Sequence, residues 1–119
     1  MEFRALILLV LSAAGQQPRV RVEVINTTKV HGLARRATRY LRDQGFDVVS
    51  EGTMSGPGDT TLVLDRTNHR AWAANVAHSL SAAGGVPVRV ESRPDSSRYV
   101  DVTVLLGAQW HPPPHSFNP

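Results

Sequence analysis

The chain has no cysteine among its 119 residues. That removes disulfide frameworks and thiolate metal sites, and leaves apolar burial as the source of stability. Aromatic residues make up only 6%, and they form no stacking pattern along a strand of the kind that holds single-stranded nucleic acid. The longest apolar run, Ala5 to Ala14, falls far short of the roughly 20 residues of a membrane-spanning helix. Charge of either sign is not in great excess: thirteen Lys and Arg against ten Asp and Glu give +3, a balance that favours solubility rather than a nucleic-acid partner. No nucleophile-elbow spacing is present. Gly52, Gly56 and Gly58 do not lead from a strand into a helix, so they form no phosphate-cradling loop.

What is present suits one folded domain, with 41% hydrophobic and 19% charged residues spread through the middle of the chain. The charge is lopsided. Between Arg19 and Arg42 seven basic residues face one acid, Glu23, whereas from Asp43 onward eight acids outnumber five basic residues. Before this domain, Arg4, the apolar run and the small residues Ser12, Ala13, Ala14 and Gly15 have the layout of a secretory signal. Residues 1–18 are expected to be a signal peptide or a truncated membrane anchor, the alternative being a buried first element. Gln16, Gln17 and Pro18 form a polar joint to the domain at 19–110. After Trp110, residues 111–119 (HPPPHSFNP) are expected to be a disordered tail.

Within the domain, Arg19–Ile25 alternates between valines and charged residues, which predicts a strand with one wet face. Leu33, Ala34, Ala37, Tyr40 and Leu41 recur at helical spacing, with Gly45 as the stop. Phe46–Glu51 and Thr60–Asp65 read as strands around a Gly-rich loop. Asn68 is the expected N-cap of a second helix, whose apolar stripe is Trp72, Ala73, Val76, Ala77 and Leu80 and which ends at Gly84-Gly85. Val86–Glu91 and Tyr99–Leu106 complete the order β-α-β-β-α-β-β, with Pro87 marking the fourth strand as an edge. Half-wet strands argue for an α+β two-layer sandwich, a mixed sheet with two helices on one face, rather than a doubly wound parallel sheet. The expected arrangement is ferredoxin-like and split, plus an extra strand.

The strand-turn-helix VEVINTTKVHGLARRATRYLRDQGFDVV, the later TTLVLDR, the Ala-rich second helix and the closing DVTVLLGAQW resemble the LytR C-terminal domain. That domain occurs downstream of LytR-CpsA-Psr catalytic domains and in short envelope proteins. Asn26, Thr28, Gly32, Leu33, Ala34, Gly45, Phe46 and Val48 occupy positions of the family pattern, and Gly107 and Trp110 match its late glycine and terminal aromatic. Thr27, Lys29, His31 and Gln109 depart from it, making the turn less flexible and more basic. The resemblance implies the extracytoplasmic face of a bacterial envelope, secreted or membrane-anchored, and brings no catalytic residues.

The candidate ligand-binding residues are Asn26, Thr28, Lys29, Gly32, Arg35, Arg36 and Trp110. A turn meeting a helix N-terminus offers free amides and a favourable dipole to an anion, and the basic side chains add charge. The competing reading is that Asn26 and Thr28 close the turn while the arginines are a solvated face. Trp110 is open to either packing or sugar contact, whereas Trp72 belongs to the core stripe. His31, His69, His78, His111 and His115 lack a ligand spacing, and no metal or cofactor is expected. The resulting expectation is a non-catalytic envelope binding or adaptor domain contacting an anionic cell-wall polymer or peptidoglycan. Its membrane contact is only through the N-terminal segment, and no nucleic acid is involved. The alternative is a protein interaction domain that pairs through a sheet edge or with a second copy.

Overall fold

A computed structural model describes residues 19–113 apart from Pro57. The expected export segment at 1–18, the end of the Pro-rich tail and His115 lie outside the described residues. No helix among the described residues is long and apolar enough to cross a membrane.

Strand β1, Arg21–Asn26, follows from its alternation: Val22 and Val24 are fully buried and Arg21 is exposed. Helix α1, Leu33–Asp43, buries Leu33, Ala34, Ala37, Thr38 and Leu41 on one stripe and leaves its arginines outside. Gly45, at φ 96°, supplies the left-handed residue just beyond its C-cap Gln44. Strand β2, Asp47–Thr53, runs two residues past the expected end at Glu51. It persists because Ile25 and Asn26 of β1 still pair with Gly52 and Thr53. Strand β3 is Leu62–Asp65, helix α2 is Arg70–Gly84, strand β4 is Arg89–Ser92 and strand β5 is Val102–Leu106, with a short 3₁₀ turn at Ser96–Arg98.

Asn68 is not the N-cap of α2. That position belongs to His69, whose side chain makes no capping bond, and Asn68 sits one residue earlier at φ 59°. The buried Asp65 organises this turn instead, its Oδ1 accepting from the amides of Thr67 at 3.2 Å and His69 at 3.1 Å.

The α+β class, the two helices and the five-stranded mixed sheet agree with the sequence reading, but the strand order β2-β1-β5-β3-β4 is not a split one. In a split arrangement another strand separates the two strands of a strand-helix-strand unit. Here β1 pairs directly and in parallel with β2, and β3 with β4, while β5 lies between the units, parallel to β1 and antiparallel to β3. Burial explains its central place. Val102, Thr103, Val104 and Leu106 are all at 0% exposure, so β5 needs cover on both faces and on both edges. β4 begins at Arg89 rather than at the expected Val86, which leaves Pro87 outside the strand, and β4 and the polar β2 are the edges of the sheet.

Both helices pack on one face, where Val22, Val24, Val48, Val63, Val102 and Val104 meet Leu33, Ala37, Leu41, Ala73, Val76 and Leu80 in one cluster. Tyr40 of α1 donates its hydroxyl to the Ser79 carbonyl of α2 at 2.9 Å, joining the two helices.

Candidate functional site

The turn after β1 is closed by its own side chains. Asn26, 6% exposed, accepts through Oδ1 from the Thr28 amide at 2.9 Å and from the Thr28 hydroxyl at 2.6 Å, while its Nδ2 donates to the Val30 carbonyl at 2.8 Å. Thr28 Oγ1 accepts in turn from the Val30 amide. Thr27 donates both its amide and its hydroxyl to the Leu106 carbonyl, tying the turn to β5. Asn26 and Thr28 are therefore structural residues, their polar groups consumed in holding the loop that delivers the chain to α1. Lys29 is exposed beside them.

Gly32 forms the N-cap of α1 at φ 78°, and no side chain caps that end. No acid lies in the first turn. The outward face carries Arg35, Arg36, Arg39 and Arg42, all exposed. Arg36 reaches back toward the carbonyls of Gly32 and His31, each at 3.4 Å, and Arg42 donates to the Val48 carbonyl at 2.8 Å, clasping the helix end to β2. The ion pairs among the described residues lie elsewhere, at Arg89–Glu91, Arg93–Glu91 and Arg98–Glu23. Two shallow clefts separate α1 from the β2 edge. One, of about 200 Å³, lies at the helix start against Asn26, Gly32, Arg35 and Glu51–Thr53. The other, of about 320 Å³, lies along the helix and includes Thr38.

Thr38 is 3% exposed and its hydroxyl has no hydrogen-bond partner. An unmade bond in a buried position costs free energy, so Thr38→Val should leave stability unchanged or raise it by up to about 1 kcal/mol. Urea denaturation reads this directly. A loss larger than that would show the hydroxyl to be paired in the folded chain.

Trp110 is not part of any surface site. It is at 0% exposure, its Nε1 donates to the Leu80 carbonyl at 2.8 Å, and its ring lies so close to Gly84 that a Cβ there would come within 2.5 Å of Cδ1. The glycine of the expected helix stop is thus also a packing device. Trp72 is partly buried against the core and stacked on His69, with ring centroids 3.8 Å apart. Among the described residues no group of three His, Asp or Glu side chains could hold a metal ion.

One cluster was not visible in the pattern of β1. Glu23, expected on the wet face, is only 8% exposed. Arg98 donates to both of its oxygens at 2.8 and 2.9 Å, and the Thr103 hydroxyl donates at 2.6 Å. Arg66 Nε donates to Thr103 Oγ1 at 2.9 Å, completing the chain of bonds. Burial pushes the Glu23 carboxyl up, but the bonds from Arg98 and Thr103 and the charges of Arg98 and Arg66 outweigh it and hold the group below the usual carboxylate range. The 3₁₀ turn is thereby pinned over the sheet face opposite the helices. The sequence signal was faint: an acid in a valine strand and a threonine in the most apolar strand.

Two strand-helix-strand units flanking a central strand, with both helices on one face, define a small two-layer α+β domain. The chain belongs to the LytR_C family, described as LytR cell envelope-related transcriptional attenuator, whose model matches residues 19–110. It is similar to the C-terminal domain of RV0431, known from a solution structure, at 33% identity over 77% of this chain and 75% of that one, with a TM-score of 0.48. It is also similar in fold to the soluble domain of a conserved hypothetical secreted protein, an Rv2700 ortholog from Mycobacterium marinum. That likeness is at 19% identity over 82% of this chain and 64% of that one, with a TM-score of 0.53. No curated protein matches the chain.

Proposed function

We propose that this chain is a non-catalytic binding module on the extracytoplasmic side of a bacterial envelope, docking an anionic wall polymer against the outer face of α1. The setting is supported by the envelope-related family and by the secreted protein to which the fold is similar. The observation that carries the ligand class is the arginine face of α1, which no carboxylate of the described residues neutralises within ion-pair distance. The uncapped start of the same helix adds its free amides and dipole at one end of that face. Arg36 stands fully on the outer surface, and Arg35 stands at the mouth of both clefts.

The expected result is that the double variant R35E/R36E is retained on purified cell-wall sacculi roughly tenfold less than the parent chain, since several exposed charge contacts of up to about 1 kcal/mol each are inverted. Raising the salt from about 0.05 to about 0.5 M should weaken retention of the parent far more than that of the variant. Equal retention of the two chains would remove the electrostatic reading.

A second reading rests on β2. It is a seven-residue edge strand with Val49 at 40% exposure, and it offers unpaired backbone groups to another strand. Light scattering after size exclusion separates the two, because a stable dimer at micromolar concentration that Val49→Lys dissolves would favour edge pairing.

A further inference from the structure

Arg35, Thr38, Arg39 and Arg42 fall on one flank of α1 at helical spacings of three and four, and that flank faces the β2 edge across the cleft of about 320 Å³. Asp43 and Glu51 line the same cleft. Three features set this groove apart from an ordinary solvated surface. Its volume lies at the lower end of the range for small-ligand sites. It carries charge of both signs, yet among the described residues neither carboxylate is within ion-pair distance of a lining guanidinium, and only Arg42 is engaged, by the Val48 carbonyl. Thr38 is among its lining residues, and the Thr38 hydroxyl is buried and without a partner.

A simple polyanion entering the groove would meet Asp43 and Glu51, and a simple cation would meet the arginines. A group carrying both charges would satisfy all of them. Arg35, Arg39 and Asp43 follow one another at intervals of four residues, each about 6 Å along the helix axis. We propose that this cleft binds a compact zwitterion whose carboxylate and ammonium lie about one helical turn apart, as in a diamino acid or a short peptide. The carboxylate accepts from the Arg35 and Arg39 guanidinium groups and from the Thr38 hydroxyl, and the ammonium donates to Asp43 or Glu51. This inference rests on the reading of the chain as a binding module, but not on the charge of a wall polymer.

The test is a titration of the ¹⁵N-labelled full chain, following the backbone amides of Thr38, Arg39 and Glu51. The probes are Nα-acetyl-lysine, which keeps an α-carboxylate and a side-chain ammonium, and alanyl-alanine, which carries its charges at the two ends of a peptide. Nα,Nε-diacetyl-lysine and inorganic phosphate serve as anions without an ammonium. At least one zwitterion should shift these amides with millimolar affinity, at least about fivefold tighter than either control, and the tighter of the two identifies the source. Thr38→Val should remain folded and bind that zwitterion severalfold more weakly. Equal shifts with the controls would overturn the role of the acids, equal affinity of Thr38→Val would overturn that of the hydroxyl, and no shift with any probe would overturn the site. Arg36 does not line the cleft, so Arg36→Glu tested on sacculi reports on the polymer reading alone.

Discussion

Replacement of Trp110 by alanine is expected to cost about 3–5 kcal/mol of folding stability, a large share of the roughly 5–15 kcal/mol that a domain of this size possesses. The side chain is the largest fully buried one, and it closes the core beneath α2. Its removal leaves a cavity that Gly84, having no side chain, cannot fill, and leaves the Leu80 carbonyl without the indole donor. Trp110→Phe should fall between the two, losing the hydrogen bond but keeping most of the packing. Urea unfolding followed by circular dichroism measures both variants. If Trp110 contacted a ligand, the alanine variant would instead unfold at the parent's midpoint and lose only binding, and that outcome would contradict the packing described above.

The second large effect is expected at Glu23. Glu23→Gln removes the charge that holds Arg98 and leaves one amide to answer three incoming donors, so a loss of about 2–3 kcal/mol is expected. Glu23→Leu, which fits the apolar strand, should lose less global stability but release the 3₁₀ turn, visible as faster amide exchange at Ser97 and Arg98. The carboxyl is held below its ordinary value in the folded chain. It therefore contributes stability fully at neutral pH, and that contribution is lost as pH falls below about 4 and through the folded value. The parent should lose stability across that acid window more steeply than Glu23→Gln. Parallel acid profiles for the two chains would show that the Arg98 bond adds nothing.

Trp110 and Glu23 also show where sequence reading stops. Val20, Val22 and Val24 alternate with charged residues, and that period alone places them on a buried face, as found. It also places Glu23 in water, which is where the reading fails. Arg98 stands 75 residues away and Thr103 80 residues away, and nothing local indicates that they converge on the carboxylate. Trp110 stood at the end of a strand with no periodicity beyond it, so burial and ligand contact were equally open. The decision came from Gly84, whose missing side chain admits the ring. The Asn26 turn was legible in kind, since Asn and Thr at such spacing bond their own backbone, and the structure adopts the structural reading for both.

Local periodicity and turn chemistry determined the elements of this protein, the apolar stripe of each helix and the wet and dry sides of most strands, because those properties depend on residues one to four positions apart. They also placed the arginines together on the outer face of α1. The order of strands, the central place of β5, the burial of Glu23 and Trp110 and the cleft between α1 and β2 were decided only by tertiary structure. Each of these depends on which distant segments meet, and that choice is made by the burial of the whole sheet rather than by any one stretch of chain.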